Sequence, residues 1–319
     1  MKTLEELKQF YEESLVQSLE PLEQKRKTIV RNVLLFTVLP ASLGILLSVI
    51  FQNTLFIFIL VSASVIAYAV IYFTAISKYK QEFKSDIVGR VIKFVEPGIS
   101  YNPGWCIQEP VFRSSGIFLA RPDRYHGEDM VSGKIGSTPI IFSELHAEHK
   151  TESTDSNGHR KTHWHTIFKG IFFIAEFNKN FNGKTVVLPD LAEKLFGNLG
   201  QALQSLNFMR GQLVKLEDPE FEKRFAVYGD DQVEARYILS TSLMKRIVDF
   251  KEKTKKQIYL SFVDNKVFVA MSYPKNIFEP RVFKTIMEFG PIREYFEDLE
   301  LAIGIVEDLN LNTRIWGRV

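Results

Sequence analysis

One cysteine, Cys106, stands in a chain of 319 residues, so no disulfide can close within it. A chain this long without a cysteine pair fits a reducing compartment better than a secreted fold. Net charge is nearly absent as well. Forty Lys+Arg against 38 Asp+Glu leave +2, too even a balance to advertise a nucleic-acid partner. The motifs that would name a reaction are also missing: there is no phosphate loop, no dinucleotide fingerprint, no nucleophile elbow and no His-Glu-x-x-His pair. Cys106 lies in PGWCIQEPVF with no histidine close in sequence, and reads as a packed, inert thiol.

The most informative absence is local. From Asn32 to Ser77 no residue is charged. Two apolar runs, residues 33–51 and 55–73, fill this stretch around Gln52-Asn53-Thr54, and at 1.5 Å per residue each is about 28 Å long as a helix, the thickness of a bilayer's hydrocarbon layer. The 32 mixed-charge residues before the first run, and the second run so soon after it, argue against a cleaved signal peptide. Lys25, Arg26, Lys27 and Arg31 precede the first run and Lys78, Lys80 and Lys84 follow the second, whereas the turn between them is uncharged. The positive-inside rule then puts both termini in the cytoplasm, and the expected location is the inner (cytoplasmic) membrane. Pro40 is expected to kink the first span. Ala41, Ser42 and Gly44 against Ser62, Ala63, Ser64 and Ala67 suit close helix packing, within one hairpin or between copies in a homo-oligomer. No ionisable side chain lies within the spans, which argues against an ion or proton pathway.

Residues 1–32 predict an amphipathic cytoplasmic helix with Leu4, Leu7, Tyr11, Leu15, Leu19 and Leu22 on one stripe, broken or bent at Pro21. Residues 33–77 are the two-helix hairpin. Residues 78–98 continue as a connecting helix to a turn at Pro97-Gly98. Residues 99–319 predict a cytoplasmic α+β domain of antiparallel β-hairpins and packed helices, as one body or as lobes 99–190 and 191–319. Its best strands are GSTPIIFSELHAE, HTIFKGIFFIAEFN and KTVVLPD, and its clearest hairpin is QIYLSFVDNKVFVAMSY, turning at Asp264-Asn265. DRYHGEDMVSGKIGST, with Asp123, Glu128, Asp129 and three glycines, reads as turns between strands. LAEKLFGNLGQALQSLNF reads as helix; its Gly197 to Gly200 segment lacks the basic flank of an RNA-clamping loop. Asp231 resembles a helix N-cap, completed by Glu234 as in a capping box.

Of the six histidines, all but His126 fall between His146 and His165: His146, His149, His159, His163 and His165. If 139–150 and 161–176 are two arms of a hairpin, alternation puts His163 and His165 on one face and separates His146 from His149. His163, His165 and His146 (or His149 in its place) are then candidate ligands for a transition metal such as zinc, which needs three protein ligands for a catalytic site. The competing reading is a solvated hairpin rich in imidazole.

GEDMVSGKIGSTPIIFSELHAE, FKGIFFIAEFNKNFNGKTVVLPD, FAVYGDDQVEARYILSTSLM and the closing IVEDLNLNTRIW together resemble a bacterial membrane family known as domain of unknown function 3137. The resemblance implies an N-terminal transmembrane pair followed by a cytoplasmic domain. It lends no catalytic residues, because the family carries no established activity. The expected function is a membrane-anchored binding or scaffolding domain with a bilayer and an unidentified protein as partners. The alternative is a metal-dependent enzyme built on the histidine hairpin with some of Glu144, Asp129 and Asp231.

Overall fold

The computed structural model describes residues 2–154, 160–177, 181–189 and 211–311. The helix expected over LAEKLFGNLGQALQSLNF and the residues from Asn312 onward lie outside them. The chain forms two compact units, residues 1–95 with 278–297, and residues 96–277 with 298–319.

The first unit is built on two long helices, α1 (Leu4–Phe51) and α2 (Leu55–Val95). A capping box starts α1: the Thr3 hydroxyl accepts from Glu6 N–H and the Glu6 carboxylate accepts from Thr3 N–H. Of the predicted stripe, Leu7, Tyr11, Leu15, Leu19 and Leu22 are buried, whereas Leu4, in the first turn, is exposed. Pro21 does not break the helix. It removes a single N–H from the ladder, and buried Leu19 and Leu22 on either side hold the turn in place. A π-helical turn, Leu34–Val38, stands just before Pro40, where a widened turn gives room to the proline ring. Further single π-turns occur at Tyr11–Leu15, Tyr72–Ile76 and Lys84–Val88. Between the helices Gln52 takes a left-handed conformation and the Asn53 side chain accepts from Leu55 N–H. Gly44 sets the approach of the two helices: a Cβ there would lie 2.9 Å from Leu60 Cβ and 3.0 Å from Phe56 O.

Beyond the apolar runs this unit contains buried charge. The Arg26 guanidinium grips Glu23 through two bonds of 2.7 and 2.8 Å and donates to Val282 O, while Glu23 also accepts from Ile286 N–H. Lys84, almost fully buried, pairs with Glu279 at 3.1 Å, and Lys80 pairs with the same carboxylate at 2.6 Å. The Tyr79 hydroxyl is buried and has no hydrogen-bond partner among the described residues.

The described residues of the second unit form one mixed-length antiparallel sheet of nine strands in the order β1-β2-β3-β4-β9-β8-β5-β7-β6. The strands are β1 (Ile99–Asn102), β2 (Arg124–Ile135), β3 (Thr138–Thr154), β4 (Arg160–Glu176), β5 (Lys184–Pro189), β6 (Gln212–Val214), β7 (Phe225–Gly229), β8 (Ile258–Val263) and β9 (Lys266–Ser272). Every pairing is antiparallel. The α+β class is therefore as expected, but the separate lobes 99–190 and 191–319 are not: β5 from the first lies between β7 and β8 from the second. A second correction concerns DRYHGEDMVSGKIGST. Its larger part is β2, and it is bulged rather than turned, because the register shifts between Glu128 and Val131 with Asp129 at φ 60°.

One face of the sheet packs on the segment Ile107 to Phe118, which includes the short helix α3 (Glu109–Ser114). Phe112 is its centre, 5.1 Å from Phe172 and 5.4 Å from Phe118 between ring centroids. The unit also contains α4 (Pro219–Glu222), α5 (Gln232–Ile238) and α6 (Thr241–Thr254), whose amphipathic stripe buries Leu243, Met244, Ile247 and Phe250. Of α7 (Phe289–Asp308), the last helix among the described residues, the part from Asp298 onward belongs to this unit, and there Leu299, Ala302, Ile303 and Val306 are buried.

Candidate functional site

The histidines stand on the longest pair of strands. β2 stops pairing with β3 at Glu148, and β9 stops pairing with β4 at Gly170. Beyond those points β3 and β4 pair only with each other among the described residues, from His149 opposite His165 to Thr154 opposite Arg160. The result is a two-stranded arm that is exposed on both faces through residues 150–154 and 160–166. His159 and the turn residues 155–158 lie outside the described residues.

His163 and His165 share one face of the arm, as alternation requires. The imidazole that the register brings to them is His149, which sits directly opposite His165 with ring centroids 5.0 Å apart and planes 23° from parallel. His146 is set apart by a bulge in β4 after Ala147, and its Nε2 lies 3.5 Å from Thr166 Oγ1. It faces His126 across β2, and burial, outweighing the neighbouring Glu148 carboxylate, holds its pKa below the ordinary value. The Nε2 of His165 is 2.8 Å from Thr151 Oγ1 and that of His163 is 3.4 Å from Ser153 Oγ. The structure thus does not bring His146, His163 and His165 to one point. Imidazole lone pairs lie in the ring plane, so the near-parallel His149 and His165 rings aim theirs side by side. On the opposite face, the Arg124 guanidinium lies 3.9 Å over the Trp164 ring.

A different set of ligand-type atoms does converge. Glu128, Asp129 and Glu144 place carboxylate oxygens within 4.8 Å of one another. The β2 bulge brings this about, turning Asp129 inward beside Glu128, whose cross-strand partner is Glu144. Asp129 and Glu144 are buried. The Tyr101 hydroxyl donates to Asp129 Oδ1, and Ile277 N–H donates to Glu144 Oε2 at 2.7 Å. An all-oxygen set of this kind suits a hard cation such as calcium or magnesium rather than zinc. Its present bonds make it a junction of β1, β2, β3 and the backbone at Ile277. The sequence names all three acids, but no spacing signal predicts their meeting, because it depends on the bulge. Nearby, Cys106 is half-buried, and burial raises its thiol pKa, which disfavours the thiolate.

The acids of GDD have structural roles. Asp231 caps α5 by accepting from Val233 and Glu234 N–H. Glu234 does not complete the capping box. Its carboxylate instead accepts from Asn182 and Gly183 N–H, both at 2.8 Å, and Asp230 accepts from Lys184 N–H at 3.0 Å. Two carboxylates from one motif therefore hold the turn that leads into β5.

That motif lies within a stretch that is similar to a known family. Residues 166–311 match the family described as protein of unknown function (DUF3137). The match covers less than half of the chain. The DUF3137 match starts within β4 and ends after α7, so it takes in Asp230, Asp231 and Glu234; α1, α2 and the Glu128, Asp129, Glu144 cluster stand before it. No curated protein matches the sequence. Among solved structures, the crystal structure of the mycobacterial trehalose monomycolate transport factor A, TtfA, is similar at 12% identity, covering 69% of this chain and 95% of that one with a TM-score of 0.32. So distant a likeness carries neither fold nor function across.

Proposed function

We propose that the protein is a bacterial inner-membrane protein whose α+β unit is held on the cytoplasmic face by the α1–α2 hairpin and serves there as a binding or scaffolding module. One observation carries the membrane reading. The uncharged halves of α1 and α2 present large apolar side chains outward, with Val49 73%, Phe58 68% and Phe73 75% exposed, along two helices long enough to cross a bilayer. A soluble protein does not leave so continuous an apolar surface in water. The lysines and arginines at the far ends of the hairpin from Gln52-Asn53-Thr54 favour cytoplasmic termini. The binding role is supported by the β3–β4 arm, which leaves the sheet with no further strand on either edge among the described residues and exposes Trp164.

Alkaline carbonate extraction and a reporter fused to the C-terminus test the reading. The chain should stay in the membrane pellet, and a fluorescent reporter that matures only in the cytoplasm should be bright. Release into the supernatant, or activity from an alkaline phosphatase fusion, would overturn it. A photo-crosslinker at residue 151 in native membranes should give an adduct with another polypeptide. A clean blank there removes the arm from the proposal.

A further inference from the structure

The basic residues at the base of the hairpin are not equivalent. Lys25 pairs with Glu82 at 2.6 Å, Arg26 with Glu23, and Lys80 and Lys84 with Glu279. Lys27, Arg31 and Lys78 are exposed and enter no ion pair among the described residues. No Asp or Glu occurs between Gln24 and Gln81. The nearest acids along both helices, Glu23 and Glu82, are already bonded to Arg26 and Lys25.

These three cations also share one level. The antiparallel register of α1 and α2 is marked by Gly44 against Leu60 at one point and Lys25 against Glu82 at another. It places Lys78 opposite residue 28, between Lys27 and Arg31. With a rise of 1.5 Å per residue, all three lie within about 6 Å along the helix axes. That level adjoins the ends of the uncharged stretch, Asn32 and Ser77, and beside it Leu34, Leu35 and Phe73 expose apolar side chains.

We infer that Lys27, Arg31 and Lys78 form a binding surface for the phosphate headgroup of an anionic phospholipid. The inference rests on the membrane reading above. Unpaired cations next to an exposed apolar wall complement an amphiphile, with phosphate on the ammonium and guanidinium groups and acyl chains along the wall; free phosphate would use only half of it. The four paired cations are held by three carboxylates, Lys80 and Lys84 sharing Glu279, and contribute less to this surface.

The test uses the full chain with vesicles of phosphatidylcholine alone or mixed with phosphatidylglycerol, followed by mass spectrometry of the lipids it retains. Phosphatidylglycerol should be enriched over phosphatidylcholine. Lys27→Gln, Arg31→Gln and Lys78→Gln should each lower that enrichment about five-fold at low salt, and the charge-preserving Lys27→Arg, Arg31→Lys, Lys78→Arg variant should retain it. A chain that floats with both kinds of vesicle but shows no enrichment, or keeps it in the triple glutamine variant, overturns the inference and leaves the membrane reading standing. A chain that floats with neither overturns both.

Discussion

Two buried polar side chains make opposite demands. Glu144 is bonded to Ile277 N–H in a buried place. Removing the acceptor in Glu144→Ala leaves that N–H without its bond, a loss of about 1–3 kcal/mol. Glu144→Gln keeps an acceptor and removes a negative charge beside Asp129 and Glu128, so it should cost much less. Denaturant unfolding of the full chain in detergent checks the order; equal losses would show that charge, not the hydrogen bond, is what Glu144 supplies. Tyr79 is the reverse case. Its hydroxyl is buried without a partner, and burial pushes its pKa up because the phenolate has nothing to replace water. Tyr79→Phe should therefore be neutral or stabilising by up to about 1 kcal/mol, and a clear loss of stability would reveal a bond that the hydroxyl makes in solution. At this scale the sequence was partly legible. Strand parity paired His163 with His165. Parity is silent on which of His146 and His149 joins them, because that is decided by cross-strand register and a bulge.

Elements were legible where one physical signal dominated. Charge-free length gave the two apolar helices, and the Asp264-Asn265 turn, with Asp264 at φ 55°, gave the β8–β9 hairpin. They were less legible where two signals competed. The glycines of β2 suggested turns, but pairing with β1 and β3 on both sides holds the segment extended and absorbs the irregularity as a bulge. Pro21 suggested a break, and side-chain burial overrode it. One glycine whose role is invisible in sequence is Gly170. It lies where β4 meets the end of β9, at φ 151°, and a Cβ there would come 2.1 Å from Met271 O and 2.6 Å from Tyr273 N. Gly170→Ala cannot be accommodated without separating the two strands, so it should destabilise the protein by more than about 2 kcal/mol. A variant with an unchanged denaturation midpoint would mean that β4 and β9 do not approach as closely as this register requires.

At the scale of the whole molecule, acid should act on each unit through different groups. In the helical unit, the Arg26 guanidinium holds Glu23 below the ordinary carboxylate value despite its burial. Burial of Glu279 would raise its pKa, but the Lys84 and Lys80 ammonium groups outweigh it and the net shift is downward. A carboxyl with a lowered folded pKa binds more protons when unfolded, so the stability it gives is present above its unfolded pKa and is lost as pH falls through the folded one. That window opens below about pH 4.5. His146 in the sheet unit is also shifted down, so protonation favours unfolding there too, but its window opens at about pH 6.5. The two are separable by signal, since Trp105 and Trp164 are in the sheet unit and residues 1–95 contain no tryptophan. Tryptophan emission should begin to show weakened stability between about pH 6.5 and 5, whereas the far-ultraviolet helical signal should hold until below about pH 4.5. His146→Phe should remove the first effect alone. Glu279→Gln should lower stability at pH 7, because Lys84 loses a carboxylate partner in a buried place, and flatten the acid limb of the helical signal. A helical signal that weakens with the tryptophan signal near pH 6 in the native chain, and still does so in His146→Phe, would show that neither Glu23 nor Glu279 sets the acid limit of the α1–α2 unit.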